Sequence, residues 1–294
     1  MKHLCSLIFI LCSTVLSANN MEYNVSMYLA PASECNKKVN ETLKNEKTQQ
    51  LFTGKIIGLA GTTSGCSFVN HFAFQKAGFS FKITPAASKI EKKTTRISAN
   101  IDWTLLEGGP FKASDKESFY EGTVLSCTSS LLPGIFSPLG INLSKDAKVI
   151  YIPAIQFSKL PRAAHTAFRR GDKWELSIKI TEPGKEPRTI QNVPIYHRGR
   201  LPVTNPAGIE CRMYNYQGIT VMNMYYSHQR GVREDGTPVM EEITLNLCFY
   251  APSKGSVIQL ADLTSFCFAE NAAFTKFPAA GGKQIRYQVF LTVK

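Results

Sequence analysis

Apolar and polar residues alternate along much of this chain. Ile97, Ala99, Ile101, Trp103 and Leu105 interleave with Ser98, Asn100, Asp102 and Thr104. Trp174, Leu176, Ile178 and Ile180 interleave with Glu175, Ser177 and Lys179, and Ile243, Leu245, Leu247 and Phe249 with Thr244, Asn246 and Cys248. Near the end, Ile285, Tyr287, Val289, Leu291 and Val293 alternate with Arg286, Gln288, Phe290 and Thr292. A period of two sends successive side chains to opposite faces of a strand, so each run predicts a strand with one buried face. Shorter alternations at 79–83, 120–125 and 149–157 predict three more.

Turn residues stand between these runs. Glu182-Pro183-Gly184-Lys185 separates the Trp174 run from the one through Ile190 to Ile195, and Glu234-Asp235-Gly236-Thr237-Pro238 separates 219–226 from 243–250. Glycine at a tight turn between alternating runs predicts an antiparallel hairpin at each place. Helical signals are few. Residues 34–50 lack Gly and Pro and predict a polar surface helix, and 161–171, with Pro161 at its start and Gly171 past its end, predicts a second of two to three turns. The expected fold is mainly β, an antiparallel β-sandwich or two packed β-sheets with one or two short helices.

The amino terminus changes the picture. Met1-Lys2-His3 leads into an apolar run from Leu4 to Leu16 and then to Ser17-Ala18. That order describes a cleaved signal peptide over 1–18, and the run is shorter than the roughly 20 residues that span a bilayer. The expected product is secreted, or periplasmic in a Gram-negative source, with no transmembrane segment after cleavage. The mature part, 19–294, reads as one β-rich globular region or as two closely packed subdomains, about 19–150 and 151–294.

Cleavage also removes two of eight cysteines, leaving Cys35, Cys66, Cys127, Cys211, Cys248 and Cys267. An even number in an oxidising compartment predicts three disulfides, and the three-and-three division about the middle predicts one joining the halves. No Cys-x-x-Cys spacing suggests zinc, and His71, His165, His197 and His228 are too scattered for a local metal motif. No cofactor is expected.

The whole chain carries 34 Lys and Arg against 22 Asp and Glu, and loses one Lys with the signal. Arg162, His165, Arg169 and Arg170 fall in the second helical segment, with 162, 165 and 169 on one face. His197, Arg198 and Arg200 form a second cationic stretch, and Lys89, Lys92, Lys93 and Arg96 a third. Guanidinium forks suit sulfate, phosphate and carboxylate oxygens, so Arg162, His165, Arg169, Arg170, His197, Arg198 and Arg200 are the candidate anion patch. An acidic glycan, a lipid surface or a protein is the expected partner; nucleic acid is not, because no recognition motif is present.

Other features carry less. Glycine-rich 54–65 places Gly-Lys before the glycines rather than after them, which fits a loop or a strand bend and not a phosphate cradle. Asn24, Asn40 and Asn142 head glycosylation sequons. Met213, Tyr214, Tyr216, Met222, Met224, Tyr225 and Tyr226 predict a central strand buried on both sides, or alternatively an exposed binding stripe. The final alternation, after Gly281-Gly282, resembles the closing strand of chaperone–usher pilus subunits. That family ends with an aromatic residue one position before the terminus, where this chain has Val293. The resemblance implies a structural component of an envelope, pilus or secretion assembly. With no catalytic motif in view, the leading expectation is an exported, non-enzymatic binding protein engaging a host, cell-surface or anionic ligand. The pilus-like component is the alternative. A secreted hydrolase with a site assembled from distant strands is the third reading.

Overall fold

The computed structural model describes residues 20–59, 62–72, 75–91, 94–106, 122–143, 148–160, 173–193, 195–196, 208–216, 218–232, 236, 238–266 and 284–294. The expected signal peptide and the expected helix at 161–171 lie outside them.

Two β-sheets pack face to face. The first to form along the chain contains β1 (Asn20–Pro31), β2 (Gln49–Leu59), the short β7 (Ser137–Pro138) and β8 (Asn142–Leu143), and β9 (Val149–Lys159). It is completed by β10 (Trp174–Thr181), β11 (Arg188–Val193), β16 (Val257–Phe266) and β17 (Gln284–Val293). The order across it is β11-β10-β17-β16-β2-β1-β9-β7, with β8 also on β9. The second sheet contains β3 (Ser64–Phe72), β4 (Gln75–Glu91), β5 (Thr94–Leu106), β6 (Gly122–Leu131), β12 (Ile195–Tyr196), β13 (Ile209–Tyr216), β14 (Ile219–Val232) and β15 (Pro238–Phe249). Its order is β12-β13-β14-β15-β3-β4-β5-β6. Pairing of named strands is antiparallel except at β12 on β13. The mainly-β, two-sheet expectation is met.

The alternation explains the layering. Ile101 and Trp103 of β5, Leu176, Ile178 and Ile180 of β10, Ile243, Leu245, Leu247 and Phe249 of β15, and Ile285 through Val293 at every second position of β17 are all buried. Inter-sheet aromatic contacts close the layer: Phe52 of β2 lies 5.6 Å from Phe79 of β4, and Phe68 of β3 lies 5.9 Å from Tyr287 of β17. Both expected hairpins form, β10–β11 through Gly184 and β14–β15 through Gly236. Each of those glycines has a positive φ, 73° and 82°, which side chains bearing Cβ seldom adopt.

Neither sheet belongs to one half of the sequence. β1, β2 and β9 share a sheet with β10, β11, β16 and β17, while β3–β6 share the other with β13–β15. The halves are stitched together by the β2–β16 and β3–β15 ladders.

Four expectations are corrected. The polar helix over 34–50 is replaced by a 3-10 turn at Ala32–Glu34 and one turn, α1, at Val39–Thr42, with strand again from Gln49. Asn45 ends it: its carboxamide oxygen accepts the Lys47 N–H, and Thr48 Oγ1 donates to the Thr42 carbonyl, both competing with helical bonding. Glycine-rich 54–65 is mostly strand, with the sheet-to-sheet crossing confined to the few residues between Leu59 and Ser64. The Met and Tyr stripe is buried on one side only: Met213, Met222, Met224 and Tyr226 are core, while Tyr214 and Tyr216 are exposed.

The fourth concerns the cysteines. Cys35, Cys66, Cys127, Cys211 and Cys248 are all free thiols, so the expected three-bridge framework is absent; Cys267 lies outside the described residues. Register gives the reason. Cys211 pairs with Met224, Met224 with Leu245, and Leu245 with Cys66, so two inward-facing cysteines stand three strands apart. At about 4.8 Å per strand that far exceeds disulfide reach. Burial pushes Cys66 and Cys211 up to about 12, which suppresses the reactive thiolate at neutral pH.

Candidate functional site

The candidate anion patch, Arg162, His165, Arg169, Arg170, His197, Arg198 and Arg200, falls outside the described residues. Lys92 and Lys93 of the third cationic stretch do too, while Lys89 and Arg96 are backbone register partners in the β4–β5 ladder. Two other polar groupings stand out, one inside the sandwich and one on its outside.

The inner grouping centres on Glu241 of β15, a fully buried carboxylate. Its neighbours in the strand explain the position: Glu241 occupies the same inward phase as Ile243 and Leu245. Tyr287 of β17, in the opposite sheet, donates its phenol to Glu241 Oε2, and His228 Nε2 of β14 lies 3.8 Å from the same oxygen. Tyr226 stacks on the His228 imidazole at 5.2 Å and 16°, and its hydroxyl receives Arg188 from β11 at 3.5 Å. Arg188 and Lys185 both pair with Glu182, at 3.6 and 2.5 Å.

The electrostatics follow from that order. Burial first, then the Glu241 charge, hold the Tyr287 phenol far above its usual range, so it stays a donor. Tyr226 is raised by burial too, against the lowering pull of Arg188. Burial works against ionised Glu182, but the Lys185 hydrogen bond and the Lys185, Arg188 and His228 charges hold its carboxyl below the ordinary value. The arrangement ties β14 and β15 of one sheet to β17 and the β10–β11 hairpin of the other. Sequence reasoning passed over it, though Glu241 in the apolar phase of a strand was a visible signal.

The outer grouping lies on the solvent face of the second sheet. Antiparallel register lines up Arg212, Asn223, Asn246, Gly65, Lys82, Asp102 and Ser126 in one row across seven strands. The adjacent row holds Thr84, Asn100 and Thr128. Over β4, β5 and β6 these side chains line a depression of about 400 Å³ formed by Thr84, Asn100, Asp102, Ser126, Cys127 and Thr128. Ser126 Oγ donates to Asp102 Oδ1 at 2.6 Å, Thr128 Oγ1 to Asn100 Oδ1 at 2.8 Å, and Thr63 Oγ1 to Thr84 Oγ1 at 3.3 Å.

Those bonds fix side-chain directions while leaving further donor and acceptor capacity on exposed atoms. Toward the other end of the same face, Tyr214 and Tyr216 of β13 are exposed. Tyr225 hydrogen-bonds Glu242 at 2.6 Å, and its phenol is pushed up to about 12, by burial and then by that bond. One face therefore carries a hydroxyl- and amide-lined depression at one end and tyrosines at the other.

No protein-family model and no curated protein matches this chain. Among solved structures, it aligns with human GIVD cytosolic phospholipase A2 at 9% identity and TM-score 0.22, covering 92% of this chain and 32% of that one. It aligns with the Salmonella SPI-1 type III secretion injectisome secretin InvG at 7% identity and TM-score 0.19, covering 100% of this chain and 69% of that one. The chain thus spans about a third of the phospholipase. Likeness at these TM-scores is below that of a shared fold.

Proposed function

We propose that this chain is an exported binding protein that captures a hydroxyl-rich surface ligand, a glycan in chemical terms, on the outer face of its eight-stranded sheet. The observation that carries the reading is the depression over β4–β6 lined by Thr84, Asn100, Asp102, Ser126 and Thr128. Sugar hydroxyls both donate and accept, and so do the Ser, Thr and Asn side chains, with Asp102 as a charged acceptor. The exposed Tyr214 and Tyr216 offer flat apolar surface to a longer ligand on the same face. A strand-borne site needs little reordering on binding, which favours capture by a rigid surface. The cationic stretches at 162–170 and 197–200 add attraction for an acidic glycan or lipid surface.

Four of the five described thiols are shielded from an oxidising medium: Cys66 and Cys211 are buried, and Cys127 and Cys248 are half-buried with raised thiol pKa values, while Cys35 is exposed. Binding to neutral and sulfated glycan arrays tests the reading. Asn100→Ala with Thr128→Ala should weaken capture about tenfold, the order expected from losing one or two hydrogen bonds. Replacing Arg162, Arg169, Arg198 and Arg200 by Ser should weaken sulfated ligands selectively. Capture unchanged by the Asn100 and Thr128 pair would remove the face from the proposal.

A further inference from the structure

Sheet edges expose unpaired N–H and C=O groups, and proteins guard them with charge, proline or shortness. Among the described residues, the edge strands other than β6 are guarded, β8 by its length of two residues. β11 carries Arg188, β7 is two residues long and contains Pro138, and β12 has two residues. β6 is different: its ten residues, Gly-Thr-Val-Leu-Ser-Cys-Thr-Ser-Ser-Leu, include no charge and no proline. Among described strands of eight or more residues, only β3 is likewise free of both, and β3 lies inside its sheet between β15 and β4. Among the described residues, no strand pairs with β6 on the side away from β5. Its solvent-face side chains Ser126, Thr128 and Ser130 are exposed and small, so another backbone can approach.

We infer that β6 is the contact between two copies of this chain, paired antiparallel about a two-fold axis so that both eight-stranded sheets become one. Symmetry restricts the register. In a two-fold antiparallel pair the sum of facing residue numbers is constant, and facing side chains must share a face of the sheet. The axis must therefore pass through a residue, and the middle of β6 puts it at Ser126 or Cys127. With the axis at Cys127, Ser126 faces the partner's Thr128, a pair of small neutral side chains that sets no charge against charge.

The pairing also completes the site, a consequence that rests on the binding reading above. In one copy the depression ends at β6. Across the axis it runs on into the identical depression of the second copy. With the axis at Cys127 the row of Lys82, Asp102 and Ser126 runs on into the partner's Thr128, the partner's Asn100 and the partner's Thr84 as one continuous polar floor, and a long or branched ligand meets two equivalent sites at once.

Light scattering of the full chain tests the pairing. The natural sequence should give twice the chain mass. Ser126→Lys with Thr128→Lys, which sets lysine against lysine across the axis, should give one chain mass with unchanged circular dichroism and melting. A short bis-maleimide should bridge Cys127 to the partner's Cys127 in the natural chain and in Cys35→Ser, but not in Cys127→Ser. Should the lysine pair unfold the chain, that cross-link decides alone. A natural chain of single mass, including one that captures an extended peptide instead, overturns the inference. So does a dimer that keeps its mass with both lysines and yields no Cys127 bridge. Glycan capture is read separately: a dimer that captures nothing overturns the binding reading and leaves the pairing standing.

Discussion

Tyr287 and Glu241 show how much one interior contact can decide. A buried carboxylate is expensive unless donors surround it, and the Tyr287 phenol is the donor that reaches across from the opposite sheet. Tyr287→Phe would keep the ring packing against Phe68 and Tyr226 but remove that donor from a fully buried group. The expected loss is about 2 kcal/mol, from removing a donor to a buried acceptor rather than from lost surface. Urea unfolding measures it as a lower midpoint at unchanged slope. Restoring stability by adding Glu241→Gln to that variant would show the charge, and not the cavity, to be the cause.

At the scale of elements, close strand approach matters as much as alternation. Gly78 of β4 sits so near β3 that a Cβ there would lie 2.1 Å from the Phe68 carbonyl oxygen. Backbone cannot yield as a side-chain tip can, so Gly78→Ala should push the β3–β4 ladder apart and cost about 2 kcal/mol or more. Amide exchange offers the check: protection should fall in β3 and β4 and persist in β10 and β17, which lie in the other sheet. The strands themselves were legible because their inward phase is continuous, as in Ile243 to Phe249. Residues 34–50 misled for the opposite reason. Lacking Gly and Pro is permissive for a helix, but Asn45 and Thr48 bind the local backbone and end the helix after one turn.

The whole molecule is held by interleaved strands and an apolar interior, without the three disulfides that its cysteine count suggested. Melting should therefore be unchanged by reductant. Native labelling should modify exposed Cys35 rapidly, while Cys66 and Cys211 react only after denaturation, as mass spectrometry of labelled peptides would record. Early labelling of Cys211 would contradict its burial. The sequence by itself determined the class of fold, the inward phase of most strands and both hairpin turns, because period-two patterning and turn chemistry are local properties of the chain. It also marked Asn100 and Asp102 as solvent-facing. The tertiary structure alone decided which strands are neighbours. That choice separates Cys211 from Cys66, brings Tyr287 to Glu241, and aligns residues from seven strands into one polar row ending at an unguarded edge. Such juxtapositions come from pairing between strands far apart in the chain, and periodicity along one strand carries no information about its neighbour.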